Sequence, residues 1–138
     1  MPRALVGVIG PWNYPLLNSF GDAIPALAAG CAVILKPSEL TPLTSLLVAE
    51  GVDDCGFPEG VFAVATGGAQ TGAALVDLVD FIAFTGSTAT GRAVAARAAQ
   101  ALVPCSLELG GKDALVVLEG APLERAANVA VTFATNSS

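Results

Sequence analysis

Residues 81–102 read Phe-Ile-Ala-Phe-Thr-Gly-Ser-Thr-Ala-Thr-Gly-Arg-Ala-Val-Ala-Ala-Arg-Ala-Ala-Gln-Ala-Leu, and the change of period inside this stretch sets the architecture. Residues 81–85 form an apolar run of strand length. Gly86 and Ser87 then offer a turn and a capping hydroxyl. From Thr88 the spacing becomes helical, with Val94, Ala98, Ala101 and Leu102 on one face and Arg92 and Gln100 pointing away. A strand, a glycine turn and a helix make half of a βαβ unit.

The same alternation recurs on either side. Strand patterns lie at 5–9, 32–36, 61–66, 105–109 and 114–118, and helical patterns at 16–29, 42–54, 70–78 and 123–134. The first strands are nearly continuous apolar runs, as expected where both faces of a parallel sheet are covered. The spacing therefore predicts an α/β, Rossmann-like fold, an open and mainly parallel sheet with helices on both faces. Thr41-Pro42 predicts a helix start with a capping hydroxyl and proline in the first turn. In the last helix Leu123, Ala127, Ala130 and Ala134 form the expected inner stripe. The chain opens inside a strand and stops at Asn136-Ser137-Ser138 without a capping glycine. Residues 1–138 are therefore expected to be part of a domain, truncated at both ends.

Composition narrows the function. The chain is 54% hydrophobic and 13% charged, which excludes disorder, because burial of so much apolar surface offsets the ordering entropy. A net charge of −6 with only 6 Lys and Arg, none clustered, argues against nucleic acid as a partner. No window approaches the roughly 18 unbroken apolar residues of a membrane span, and no signal peptide is evident after Met1. Cys31, Cys55 and Cys105 are widely spaced and read as reduced thiols of a cytoplasmic protein, each a small buried hydrophobe. No metal site is expected. With no histidine in the chain, proton chemistry falls to carboxylates.

Ligands of open α/β sheets sit beyond the carboxyl ends of the strands, and polar residues gather there. They are Gly10-Pro11-Trp12-Asn13-Tyr14-Pro15, Lys36-Pro37-Ser38-Glu39, Gly86-Ser87-Thr88-Ala89-Thr90-Gly91 and Glu108-Leu109-Gly110-Gly111-Lys112. The glycine turn at 86–91 is neither Gly-x-Gly-x-x-Gly nor a nucleotide-triphosphatase loop. It reads either as a plain strand–helix turn capped by Ser87 or Thr88, or as a helix N-terminus that accepts a pyrophosphate.

In order and across essentially the whole chain, these four segments resemble the Pro-Trp-Asn-x-Pro, Lys-Pro-Ser-Glu, Phe-Thr-Gly-Ser-x-x-x-Gly and Glu-Leu-Gly-Gly-Lys motifs of the aldehyde dehydrogenase superfamily. The resemblance implies an NAD-dependent enzyme, with NADP as an alternative, that oxidises a small aldehyde to an acid through a cysteine thioester. It also implies a homo-oligomeric parent. Residues 84–92 are faintly similar to succinate-semialdehyde dehydrogenases. A dinucleotide-binding module, or a non-catalytic structural relative, is the alternative reading.

Several roles follow from the resemblance. Asn13, which alone also reads as a turn residue, is expected to donate its side-chain N–H to the developing oxyanion. Lys36 can donate to the adenosine ribose and Glu39 can accept from it, with Ser38 beside them. Ile9, Gly10, Pro11, Trp12, Phe84, Gly86, Ser87, Leu109 and Gly110 are the further expected cofactor contacts. Gly68 and Gly72, in a second glycine turn, are expected to let the dinucleotide lie close to backbone. Glu108, flanked by Leu107 and Leu109, is expected to be partly buried and to act as the general base; a strand-end pairing with Lys112 is its bland alternative. The nucleophilic cysteine is expected beyond Ser138.

Overall fold

A computed structural model describes residues 4–112 and 114–135. The expected stop at Asn136, Ser137 and Ser138 lies outside the described residues. Strands β1 (Leu5–Ile9), β2 (Ala32–Lys36), β3 (Phe62–Val64), β4 (Phe81–Gly86) and β5 (Cys105–Leu109) form one five-stranded sheet in the order β3-β2-β1-β4-β5. Every pairing is parallel. The helices are α1 (Gly21–Ala28), entered through a π-helical turn at Leu16–Phe20, then α2 (Pro42–Asp54), α3 (Ala69–Val76), α4 (Thr88–Ala101) and α5 (Leu123–Thr135).

Successive strand side chains face opposite ways, and both faces are covered. Val6 and Val8 of β1 join Val33, Leu35 and Ala83 in a core closed by Ala23 of α1 and Val52 of α2. Ile9 turns to the other face with Ile82 and Phe84, beneath Leu75 and Val76 of α3 and Val94 and Ala98 of α4. Val8, Leu35 and Ile82 are fully buried, each burial stabilising by about 1.5–3 kcal/mol. After β3 the chain returns through α3 to β4, on the far side of β1. This reversal of strand order opens a crevice at the carboxyl ends of β1 and β4.

The structure corrects several expectations. Residues 114–118 do not form a strand. They are exposed, with Val116 and Leu118 each 74% accessible, and no strand among the described residues lies beside them. The half-buried residues of α5 are Ala126, Val129 and Ala130, which leaves Leu123, Ala127 and Ala134 exposed. Their neighbours are residues 115–118, so the inner face follows that local contact and not the sheet. In α4 the buried residues are Gly91, Val94 and Ala98. Ala101 is exposed and Leu102 ends the helix in a left-handed conformation. Cys31 is buried, but Cys55 and Cys105 are exposed, at a helix end and on the open edge of β5. Thr41 precedes Pro42 in the first turn of α2, but its hydroxyl makes no capping bond. It donates instead to the Trp12 carbonyl at 3.3 Å.

The π-helical turn also departs from the single helix expected over 16–29. Pro25, inside α1, lacks the N–H that would bond the Gly21 carbonyl. The wide turn before it sets Ser19, fully buried, against Gly10. A Cβ on Gly10 would collide with Ser19 Oγ and stand 2.6 Å from its Cβ and 3.1 Å from its Cα. We expect Gly10→Ala to destabilise the fold by about 1–3 kcal/mol, read as a lower urea midpoint, and Ser19→Gly in the same chain to restore part of it. A Gly10→Ala chain as stable as the wild type would contradict this packing.

Candidate active site

The crevice widens into a cleft of about 1100 Å³, larger than most small-molecule sites, which run about 300–1000 Å³. The structure brings all the expected site residues to it. Ile9, Gly10, Pro11, Trp12 and Asn13 come from β1 and its loop, and Lys36, Ser38 and Glu39 from the end of β2. Gly68 and Gly72 line it from the start of α3, Phe84, Gly86 and Ser87 from β4 and its turn, and Glu108, Leu109 and Gly110 from β5.

Two bonds fix the loop that carries Asn13. The Gly10 N–H donates to the Lys36 carbonyl at 3.0 Å, and the Thr41 hydroxyl holds the Trp12 carbonyl. Asn13, the next residue along the loop, is half-buried. An amide on a tethered loop at a ligand edge is a preorganised donor.

Lys36 is buried, and its Nζ stands 3.6 Å from Glu39 Oε2, while Glu39 itself is exposed. A backbone N–H at Glu39, followed by the Lys36 charge, holds the Glu39 carboxyl below its ordinary value. A buried cation and an ionised acceptor thus stand side by side, a donor–acceptor set that suits a vicinal diol.

Ser87 is the N-cap of α4, and its Oγ accepts from the Thr90 N–H at 3.2 Å. The capping reading of Ser87 is therefore met, and the helix N-terminus opens on the cleft. Gly91 lets α4 approach β5, because a Cβ there would collide with Leu109 Cδ2. Gly72 forms a close wall, its missing Cβ position 3.6 Å from Ile9 Cδ1 and Lys36 Cδ.

Glu108 differs from expectation in its surroundings. β5 is the sheet edge, so Glu108 and Leu109 are exposed and the flanking leucines do not bury the carboxylate. The described ion pairs are Lys36–Glu39 and Arg97–Asp77, and the pairing of Glu108 with Lys112 is not among them. Across the ladder Glu108 pairs with Thr85, whose Oγ1 donates to Asp22 Oδ2 at 3.3 Å. Burial raises the Asp22 carboxyl above its ordinary value; the Thr85 hydrogen bond pulls it back, and the Glu108 charge adds to the rise.

Asp22 and Arg97 line the cleft although nothing in the motifs points to them, and so does Thr85, which stands inside the Phe-Thr-Gly-Ser motif. For Asp22 the available signal was a lone charge in an otherwise uncharged helical stretch. Arg97 meets Asp77, which ends α3, at 2.8 Å and 2.5 Å through Nε and Nη2. That contact spans helices and has no local spacing rule. Ala73, Val76 and Val94 add an apolar wall between α3 and α4.

The sequence profile of the Aldehyde dehydrogenase family matches residues 1–138. A Mycolicibacterium smegmatis protein named, provisionally, as an NADP-dependent succinate-semialdehyde dehydrogenase is 48% identical over 94% of this chain and 25% of its own length. Aminoaldehyde dehydrogenase 2 of Pisum sativum, a peroxisomal protein, is 51% identical over 94% of this chain and 26% of its own. The NAD-complexed aldehyde dehydrogenase of Bacillus cereus superposes with a TM-score of 0.90 at 43% identity, over 95% of this chain and 27% of that one. The chain thus spans about a quarter of the length of the curated relatives it matches.

The Asp22 environment yields a titration with a defined sign. Its native pKa lies above the ordinary aspartate value of 3.8, so the native state holds this proton more tightly than the unfolded chain does. The Asp22 contribution to stability therefore falls as pH rises from 3.8 through the native value. Thr85→Val removes the bond that favours the ionised form, and the Asp22 carboxyl should then titrate higher still, as followed by carbon NMR. An unchanged midpoint would show that the Thr85 bond has no hold on the carboxyl.

Proposed function

The chain belongs to the aldehyde dehydrogenase family, and on that premise we propose that residues 1–138 are part of the NAD(P)-binding domain of an enzyme that oxidises an aldehyde to a carboxylic acid. The observation that carries this reading is the convergence of Asn13, the Lys36–Glu39 pair, the α4 N-terminus and Glu108 on one cleft. The donor set fits a dinucleotide. Lys36 and Glu39 suit the ribose hydroxyls, the backbone N–H groups behind Ser87 suit a pyrophosphate, and the Ala73, Val76 and Val94 wall suits a flat base. NAD or NADP, when bound, supplies the hydride acceptor.

The chain's own residues account for two proton-sensitive tasks. Asn13 donates an N–H to the oxygen that becomes negative when a thiolate adds to the aldehyde carbon. Glu108 takes a proton from water as the hydroxyl forms a bond to the thioester carbon; the carbon–sulfur bond then breaks, freeing the acid and the thiolate. The three cysteines of this chain do not line the cleft. The nucleophile is therefore supplied by another part of the whole protein, as are most of the substrate pocket and the subunit contacts of a homo-oligomer. The substrate is a small aldehyde, and names among the relatives span succinate-semialdehyde, aminoaldehyde and betaine aldehyde enzymes. No described helix is long and apolar enough to cross a membrane, and a cytoplasmic location accords with the free thiols.

Two measurements on the whole enzyme test the reading. Glu108→Gln should preserve a pre-steady-state burst of NADH while lowering steady turnover by about 100-fold or more; loss of the burst together with turnover would move Glu108 to an earlier step. Glu39 should favour NAD, since a carboxylate repels a 2′-phosphate. Glu39→Ser should change the NAD/NADP ratio of kcat/KM about tenfold or more toward NADP. The NADP named for the mycobacterial relative makes this a demanding test, and a ratio untouched by the substitution would remove Glu39 from the ribose site.

A further inference from the structure

Helices α3 and α4 both start at the carboxyl edge of the sheet and run back along the same face of it, with part of the cleft between them. Ala73 and Val76 line this groove from α3, and Ala93 and Val94 from α4. Its near end is formed by the Ser87 cap of α4 and by Gly72, whose missing Cβ position stands 3.6 Å from Lys36 Cδ. Its far end lies about 15 Å down α4 from the cap, at a rise of about 1.5 Å per residue. There Arg97, which also lines the cleft, donates from Nε and Nη2 to the Asp77 carboxylate at 2.8 Å and 2.5 Å. Asp77 ends α3, so one bidentate bond ties the two walls of the groove together. The same bond holds the Asp77 carboxyl below its ordinary value, and the pair stays ionised. An exposed pair of this kind adds little to stability. What it fixes is geometry, because the planar fork sets the orientation of the guanidinium and leaves its Nη1 donors for a further acceptor.

We propose that Arg97, held in place by Asp77, is the residue that meets the edge of the adenine base at the far end of this groove. The proposal deepens the reading of the cleft as an NAD(P) site and rests on it. A ribose held by Lys36 and Glu39 sits beside Gly72, so the base it carries lies over the next turn of α3, at Ala73 and Val76. With its two faces against the helix walls, a flat base presents its edge along the groove, toward Arg97. That edge carries acceptor nitrogens, and the donors that Arg97 does not give to Asp77 match them. Asp77 is a positioning residue that acts through Arg97, since a fork fixed before the ligand arrives loses less freedom on binding. The base lies at the opposite end of the dinucleotide from the nicotinamide, so the effect falls on cofactor affinity and leaves the chemical steps to Asn13 and Glu108.

The test uses the whole enzyme and two probes, NADH and reduced nicotinamide mononucleotide, which lacks the adenosine half. Binding of each is followed by fluorescence in wild type, Arg97→Ala, Arg97→Gln, Asp77→Ala and the double variant Asp77→Ala/Arg97→Ala. Arg97→Ala should weaken NADH binding about three- to tenfold, the worth of one hydrogen bond, and leave the mononucleotide unmoved. In turnover the same variant should raise KM for NAD without lowering kcat. Asp77→Ala should weaken NADH binding less than Arg97→Ala does. The double variant should be no weaker than Arg97→Ala alone, because Asp77 has no effect once Arg97 is gone. Arg97→Gln, which keeps the length of the side chain but not the fork, should match Arg97→Ala, and it serves if that protein folds poorly. An Arg97 variant that binds NADH as the wild type does overturns the proposal. So does an equal loss for both probes, which would make the pair a brace of the whole cleft, or full additivity in the double variant. The wild-type enzyme separates the two claims. If it does not bind NADH, the NAD(P) reading of the cleft fails; if it binds NADH and the Arg97 variants bind it equally well, only the role of Arg97 fails.

Discussion

The whole ligand edge depends on the two-sided hydrogen bonding of β1. Val6, Val8 and Ile9 are paired with β2 on one side and β4 on the other, in parallel register throughout. That double pairing fixes where β1 ends relative to its neighbours, so that Ile9 stands level with Lys36 and Phe84. It also forces the strand order to reverse at β1, and the reversal opens the crevice. Asn13 follows the central strand, and the Lys36–Glu39 pair and the capped helix follow its two neighbours. A slip of one residue in either pairing would exchange Val8 and Ile9 between the two cores and displace the loop that carries Asn13.

Much of this was legible in the sequence because the signals are local. Apolar runs of strand length located β1, β2, β4 and β5 within a residue, and Ser87 advertised its cap. The motif residues fell at the strand ends that the topology then gathered into one cleft. Less legible were features that need a partner distant in sequence. Glu108 sits between two leucines, yet whether leucines bury their neighbour depends on whether the strand is inside the sheet or at its edge. The Thr41 hydroxyl could accept from the N–H groups of the helix start or donate to a carbonyl, and the loop carbonyl of Trp12 won. Residues 114–118 have a strand's composition, but a strand exists only with a neighbour to pair with.

Asp22 shows a different kind of blindness. A motif search looks for residues that touch the reacting atoms, and a charge behind them leaves no spacing rule. Its place at the site emerges only when the fold sets the Thr85 hydroxyl against it. The π-helical turn is similar, since apolar spacing does not distinguish π from α winding over five residues. Yet that winding decides which side chain faces Gly10.

The pairing of β1 has a consequence for how the chain is made. Leu5 donates its backbone N–H to the carboxylate of Asp80, 75 residues later, and the second edge of β1 closes only when β4 arrives. At a synthesis rate of about 5–20 residues per second, Val6 and Val8 wait about 4–15 seconds with one edge open. During that interval β2 and β3 can assemble on the other side, so half of the sheet forms before the crevice exists. A mutation that slows the pairing of β4 would therefore act first as a solubility defect of the nascent chain, before any measure of cofactor binding could register it.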